Sequence, residues 1–130
     1  MVVDTSAAVA ILTEEAGAEP IARQLAGATQ AFMSTATYVE LGIVLQARRG
    51  PESRRVLERF VRETGIELVA LTLDHTERAL DGSRRFGKGR HPASLNLGDC
   101  YAYGLAATLG LPVLCTGDDF GRTDLDVVPR

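Results

Sequence analysis

Short apolar runs alternate with longer amphipathic segments along this chain. The apolar runs predict five strands, at residues 1–3, 31–33, 67–71, 112–115 and 126–128. In the segments between most of them, apolar residues recur every three or four positions, which is typical of helices that bury one face. These segments predict six helices, at residues 6–15, 18–25, 36–49, 52–64, 76–86 and 98–109. Short strands separated by helices favour a mostly parallel α/β sheet over a β-sandwich.

Glycine and proline mark the ends of several predicted helices. Gly27, Gly65 and Gly110 each follow a helical segment, and Gly50-Pro51 separates two of them. No repeat, low-complexity stretch or interdomain linker interrupts the pattern, and 130 residues are enough for one core. We therefore predict one domain over residues 1–130.

The composition is that of an ordinary globular protein, with 45% apolar and 24% charged residues. No segment resembles a signal peptide, and no apolar stretch approaches the roughly 20 residues that span a bilayer. Cys100 and Cys115 match neither a disulfide framework nor a zinc motif, and we interpret both as buried small residues in a reducing compartment. The sequence thus predicts a cytoplasmic protein without a membrane segment.

The net charge of −3 at pH 7 argues against a protein that coats nucleic acid through a basic surface. An RNA substrate is still compatible with it, because several basic residues are clustered. One cluster, in and before the loop at residues 87–96, contains Arg84, Arg85, Lys88 and Arg90. This loop has two interpretations: a surface connector, or a basic lip that contacts a phosphate backbone.

Acidic residues stand where an α/β fold usually binds its ligands. Asp4 follows the first apolar run, Glu40 lies within a predicted helix, Asp99 opens the last helix, and Asp118 and Asp119 follow the fourth strand. Residues just past the ends of parallel strands converge at one edge of the sheet. Carboxylates gathered there repel one another unless a hard divalent cation joins them. The pattern indicates magnesium- or manganese-dependent phosphodiester chemistry.

Two of these acids have a simpler interpretation as helix caps. Asp4 and Asp99 both stand at the start of a predicted helix, where aspartate is favoured. Thr5 and Ser6 offer alternative caps, which would leave Asp4 free for a metal. Asp99 shares its helix face with apolar residues, so we expect it to point inward.

The other acids also have structural alternatives. Glu40 has apolar neighbours three and four positions away, so it requires a cation or a salt bridge to an arginine. Asp118 and Asp119 follow Gly117 and would suit a plain turn, which Phe120 would anchor in the core. Sequence alone does not choose between these two aspartates.

Other catalytic sets are poorly supported. His75 and His91 occur in polar settings, and we expect both to be exposed. The chain has no nucleophile elbow and no phosphate-cradling glycine loop. The polar groups left to support the carboxylates are the hydroxyls of Thr5, Ser6 and Thr116.

Four short motifs resemble those of PIN-domain ribonucleases, specifically the VapC toxins of bacterial type II toxin–antitoxin systems. They are Asp4-Thr5-Ser6-Ala7, Tyr38-Val39-Glu40-Leu41, Leu97-Gly98-Asp99-Cys100-Tyr101-Ala102 and Thr116-Gly117-Asp118-Asp119-Phe120, followed by Thr123-Asp124. Each motif is weak alone. All four occur in order over nearly the whole chain, which makes the resemblance specific.

The resemblance implies a PIN-like three-layer α/β fold, in which helices flank a mostly parallel sheet of about five short strands. It implies Mg²⁺ or Mn²⁺ as cofactor and endonucleolytic cleavage of a tRNA, ribosomal RNA or messenger RNA. Asp4, Glu40 and Asp99 match the first three acids of the family. Asp118 and Asp119 both match the fourth, and we favour Asp119. These acids are the expected catalytic residues and metal ligands.

The resemblance also implies protein partners. A VapB-type antitoxin would cover the active site with its C-terminal segment, in a hetero-oligomer built on a toxin homodimer. Ile11-Leu12 and the helix at residues 39–45 are candidate docking surfaces. The main alternative function is a catalytically inactive PIN-like module that only binds an antitoxin, and the complete set of acids argues against it. A metal-dependent phosphatase or DNA nuclease is a third interpretation.

Overall fold

The computed structural model describes residues 1–130 and contains four parallel strands and six α-helices. In chain order they are β1 (Val2–Val3), α1 (Thr5–Leu12), α2 (Ala18–Ala26), β2 (Phe32–Ser34), α3 (Thr35–Arg49), α4 (Ser53–Thr64), β3 (Glu67–Val69), α5 (Leu73–Phe86), α6 (Leu97–Leu109) and β4 (Val113–Leu114). Single 3₁₀ turns cover Gly50–Glu52 and Phe120–Arg122. The predicted α/β fold is confirmed.

The sheet has the strand order β3-β2-β1-β4, and every neighbouring pair is parallel. The fifth predicted strand, at residues 126–128, is reduced to one bridge between Val113 and Val127. Val113 donates its N–H to the Asp126 carbonyl at 3.0 Å, and Val128 donates its N–H to the Val113 carbonyl at 2.9 Å. Because β4 is only two residues long, the pairing stops there.

Residues that alternate along β1 and β4 supply two separate cores. Val3 and Leu114 belong to the core under α1–α4, whereas Val2 and Val113 belong to the core under α5 and α6. Successive side chains on a strand point to opposite faces, so four buried residues cover both sides of the sheet. This arrangement is the predicted three-layer architecture.

One end of α5 differs from its prediction. The helix begins at Leu73 rather than at residue 76, because Thr72 caps it. The hydroxyl of Thr72 accepts a hydrogen bond from the His75 N–H at 3.2 Å, and His75 Nδ1 accepts one from the Thr72 N–H at 3.4 Å. His75 is therefore buried, and the prediction that both histidines are exposed is wrong for this residue.

All four strands run in the same direction, so their C-terminal ends meet at one edge of the sheet. Asp4 follows β1 directly, Thr116 comes two residues after β4, and α3 starts immediately after β2. This edge holds the predicted acidic residues. No helix of the structure is long and apolar enough to cross a membrane.

Candidate active site

Asp4 is buried at the C-terminal end of β1 and caps α1. Its backbone N–H donates to the Leu114 carbonyl at 3.0 Å, which places it beside the end of β4. Its Oδ2 atom accepts hydrogen bonds from the Ser6 N–H at 3.0 Å and from the Ser6 hydroxyl at 2.6 Å. The expectation that Thr5 or Ser6 would replace Asp4 as the cap is wrong. Oδ1 is nevertheless buried without any hydrogen-bond partner, so capping uses only one of the two oxygens.

The electrostatics of Asp4 reflect its burial. Burial raises the pKa of Asp4 to about 6, the hydrogen bonds from Ser6 oppose the rise, and the nearby charges of Asp99 and Glu40 add to it. A carboxylate of this kind lacks solvation in its ionised form. A bound cation would therefore stabilise the ionised form of Asp4.

Glu40 projects from α3 toward α1 and α6. Its Oε1 atom accepts a hydrogen bond from the Thr5 hydroxyl, and its carboxylate lies against Gly98. No arginine forms an ion pair with it, so the structure does not contain the salt bridge considered as the alternative to a metal. Glu40 is half-buried, and of its apolar neighbours Val44 packs against the core whereas Ile43 is 61% exposed, so the apolar stripe around Glu40 is only partly buried.

Asp99 lies in the first turn of α6 and forms a capping box with Asn96. Asn96 donates its N–H to Asp99 Oδ2 at 3.0 Å, and the Asn96 side chain accepts the Asp99 N–H at 2.9 Å. Burial raises the pKa of the Asp99 carboxyl, and the charges of Asp119 and Glu40 raise it further, whereas the Asn96 N–H lowers it. The same helix buries Ala102 and Tyr103, which agrees with the predicted inward-facing helix.

Asp118 and Asp119 occupy the exposed loop after β4, and Phe120 anchors that loop with only 2% of its surface exposed. The two aspartates are not equivalent. The charge of Asp119 contributes to the raised pKa of Asp99, and Asp118 makes no such contribution. This difference favours Asp119 as the acid that belongs to the cluster.

A cavity of about 300 Å³ brings most of these residues together. Its walls are formed by Asp4, Thr5, Ser6, Val9, Glu15, Glu40, Val44, Arg48, Asn96, Asp99 and Thr116. Asp118 and Asp119 are not part of its wall. The acids are neighbours rather than a closed cage, because no three histidine, cysteine, aspartate or glutamate side chains are placed to hold a metal ion together.

Two side chains, Ser6 and Arg130, support the loop after β4. The Ser6 hydroxyl, which donates to Asp4, also accepts the Thr116 N–H at 3.1 Å. Arg130 donates from its two terminal nitrogens to the carbonyls of Cys115 and Gly117, both at 3.0 Å. Ser6 and Arg130 therefore hold the two sides of the segment that leads to Asp119. Ser6 belongs to the first motif and was predicted to support the carboxylates. The Arg130 contacts span 13 to 15 residues, so no local sequence pattern predicts them.

The four basic residues predicted to contact RNA do not line the acidic cavity. Arg84 is paired with Asp81 at 2.6 Å, and Arg85 is paired with Asp124 at 3.3 Å. Lys88 lines a separate apolar cavity between α5 and α6, and Arg90 is exposed in the following loop. The basic residue that does line the acidic cavity is Arg48, which was not predicted.

Comparison with known proteins decides the family. The family model described as the PIN domain matches residues 1–125. The chain belongs to the PIN-domain family. The protein is 42% identical over 128 residues to ribonuclease VapC30 of Mycobacterium tuberculosis, covering 98% of each chain. It is 44% identical over 128 residues to a ribonuclease VapC of Mycolicibacterium smegmatis, covering 98% of this chain and 99% of the relative.

Solved PIN-domain structures agree in fold. The crystal structure of VapC20 from M. tuberculosis, described as a toxin that cleaves the sarcin–ricin loop, superposes with a TM-score of 0.78 at 18% identity, covering 99% of this chain and 98% of VapC20. VapBC2 from Rickettsia felis, solved with a DNA fragment from its promoter, gives a TM-score of 0.72 at 12% identity, covering 98% and 96%. At these identities the superpositions establish the PIN fold. The full-length relatives above place the chain among the VapC ribonucleases.

Proposed function

We propose that this PIN-domain protein is the toxin of a type II toxin–antitoxin system and that it cleaves RNA endonucleolytically with Mg²⁺ or Mn²⁺. The observation that carries the proposal is the Oδ1 atom of Asp4, which is buried without a hydrogen-bond partner in a residue that lines one cavity with Glu40 and Asp99. An ionised carboxylate oxygen without a partner is costly to bury. A divalent cation would satisfy it.

The residues present fit a hard cation. Carboxylate oxygens are the ligands that Mg²⁺ and Mn²⁺ prefer. Asp4 and Asp99 would hold the metal, and Glu40 and Asp119 would complete its surroundings directly or through water. Because the acids are neighbours without forming a cage, the ion would keep several of its waters, as Mg²⁺ usually does in proteins.

The bound metal would lower the pKa of a water molecule and stabilise the charge that develops on the phosphate. The protein supplies the orientation. Thr5 fixes Glu40 through the hydrogen bond to Oε1, so that the other carboxylate oxygen is free to accept a proton from the attacking water. Ser6 holds Asp4 and the Thr116 segment together. Attack by water with cleavage of the P–O3′ bond would leave a 5′-phosphate and a 3′-hydroxyl, without a cyclic phosphate.

The proposal extends to partners and setting. It includes a VapB-type antitoxin as partner, a toxin homodimer and a toxin–antitoxin hetero-oligomer. It also includes action in the cytoplasm by a single PIN domain at residues 1–130. Support comes from the VapC names of the relatives and from the solved VapBC2 complex of R. felis. The exposed side chains of Val39 and Ile43 on α3 offer an apolar surface of the kind an antitoxin helix would cover.

A cleavage assay tests the proposal. Purified, antitoxin-free protein is incubated with total tRNA and ribosomal RNA in Mg²⁺, in Mn²⁺ or in EDTA, beside the variants Asp4→Asn and Asp99→Asn. We expect discrete products that require metal and disappear in both variants, with circular dichroism showing that the variants are folded. Full activity in both variants would refute the metal site. Absence of any metal-dependent cleavage would favour the antitoxin-binding module instead.

A further inference from the structure

The acidic cavity has one basic side chain in its wall. Arg48 lies on α3, eight residues after Glu40, and Val44 lies between them on the same helix face. Residues four apart lie on one face of an α-helix, so positions 40, 44 and 48 form a continuous row. The carboxylate and the guanidinium are thus two turns apart along one wall of the cavity.

Arg48 is exposed and has no hydrogen-bond or ion-pair partner in the protein. Other arginines are engaged: Arg23, Arg54, Arg59, Arg84 and Arg85 pair with carboxylates, and Arg49, Arg122 and Arg130 donate to carbonyls. The free arginines Arg55, Arg62, Arg78 and Arg90 do not line the cavity. Arg48 is therefore the only free cation beside the acidic cluster.

We propose that Arg48 binds a backbone phosphate of the RNA strand that flanks the scissile phosphate. The inference rests on the proposed ribonuclease function and adds a substrate-positioning residue to it. Eight residues of α-helix span about 12 Å, so Arg48 lies at the mouth of the cavity rather than among the metal ligands. Arg48 forms no ion pair with Glu40 or with any other acid of the cavity. The acids are left to hold a cation while the guanidinium holds an anion, which suits a polyanionic strand crossing the cavity.

A contact of this kind has a defined signature. A guanidinium bound to phosphate contributes to affinity without reading the base, so its loss weakens binding equally across sequences. It also releases counterions, so removing it reduces the salt dependence of binding by about 0.7 in the log–log slope for a single strand. A residue with only a structural role would change neither the slope nor the affinity in this way.

The binding test uses the cleavage-deficient Asp99→Asn protein and a short fluorescein-labelled RNA of mixed sequence. Fluorescence anisotropy gives Kd across about 50 to 200 mM KCl in the presence of Mg²⁺. We expect Arg48→Gln to weaken binding about tenfold and to flatten the salt slope. Arg48→Lys should retain part of the affinity. Arg55→Gln is the matched control, because Arg55 is also an exposed, unpaired arginine but lies outside the cavity, and it should bind like the parent protein.

A second arm separates this inference from the function on which it rests. In the active protein, Arg48→Gln should raise KM about tenfold and leave kcat within about twofold, as expected for lost uniform binding. Equal affinity and equal salt slope for Arg48→Gln and Arg55→Gln would overturn the role of Arg48. Arg48-dependent RNA binding without any cleavage by the active protein would refute the ribonuclease while sustaining the phosphate contact. Absence of RNA binding by the parent protein would overturn both.

Discussion

Glu40 of α3 and Gly98 of α6 are packed so closely that any side chain at position 98 would displace the Glu40 carboxylate. A Cβ atom built there would overlap the carboxylate group of Glu40. Glycine at this position lets α3 and α6 approach until Glu40 stands beside the helix turn that carries Asp99. Gly98 is thus a steric requirement of the site, and Thr5 fixes the same carboxylate from the other side.

Gly98→Ala should separate activity from stability. The overlapping atoms belong to the flexible end of Glu40, so the carboxylate moves and the fold is kept, while alanine favours the helix by up to about 1 kcal/mol. A displacement of about 1 Å at a catalytic group can reduce activity about a hundredfold. Cleavage kinetics and thermal unfolding measure the two effects. Gly27→Ala, at an exposed glycine with space for a Cβ, is the control and should stay fully active; equal activity of both variants would contradict the steric argument.

The fourth acid is tested by paired substitutions in the loop after β4. Asp119→Asn should reduce cleavage strongly, because the charge of Asp119 acts on Asp99, whereas Asp118→Asn should stay close to the parent rate. Both residues are exposed, so neither change should lower the melting temperature appreciably. The same preparations should be titrated with Mn²⁺, and weaker binding only in Asp119→Asn is expected. The reverse order of effects would assign the role to Asp118.

The sequence was most informative where function depends on short motifs next to strand ends. Asp4, Glu40 and Asp99 were found because each motif stands directly after a strand or within the first turns of a helix, and the parallel sheet brings such positions to one edge. Helix capping by Asp4 leaves room for the proposed metal role, because the cap uses only Oδ2. Capping and ligation are therefore compatible interpretations of one residue.

The missed residues are those whose contacts are distant in sequence. Arg48 reaches the cavity along a helix wall, and Arg130 reaches the loop from the end of the chain. Arg84 and Arg85 are clustered in sequence, but they pair with Asp81 and Asp124 and do not line the acidic cavity. His75 was missed because histidine is an unusual partner in a capping box, which usually has glutamate or glutamine.

The raised pKa of Asp4 gives metal-free protein a pH-dependent stability. The folded-state pKa of about 6 exceeds the ordinary value of 3.8, so the native state binds more protons than the unfolded chain between these values. Stability is then fully present below about pH 4 and is lost as the pH rises through about 6. The shift corresponds to roughly 3 kcal/mol at neutral pH, and Asp99 shifts in the same direction.

Urea unfolding in EDTA measures this effect. The parent protein should lose stability mainly between about pH 4 and 6, and Asp4→Asn should lose clearly less over the same interval, because position 4 no longer titrates. Added Mn²⁺ should restore stability at neutral pH in the parent protein alone. Superimposable pH profiles of the parent and Asp4→Asn proteins would show that burial does not perturb this carboxyl.

Ser6→Ala should disturb both sides of the site, because the Ser6 hydroxyl contacts Asp4 and Thr116. The substitution removes the hydroxyl that donates to Asp4 and accepts from Thr116, at a cost of about 1–2 kcal/mol in unfolding free energy. The pKa of Asp4 should rise further, because the hydrogen bonds from Ser6 lower it. A shift of the pH profile toward higher pH, together with reduced cleavage, is expected. Ser83→Ala, on α5 and outside the wall of the acidic cavity, is the control and should leave the pH profile unchanged.

The arginine clamp at the end of the chain gives the last prediction. Arg130 holds the carbonyls of Cys115 and Gly117 with two nitrogens of one planar group, a geometry that a single ammonium cannot reproduce. Arg130→Lys should therefore loosen the segment at residues 116–119, which carries Asp119, without unfolding the sheet. Hydrogen exchange should become faster in that segment, and cleavage should fall several-fold. Arg122→Lys is the control, since Arg122 donates only to the Pro92 carbonyl at 3.4 Å. Unchanged exchange and activity in Arg130→Lys would show that Ser6 and Phe120 suffice to hold the loop.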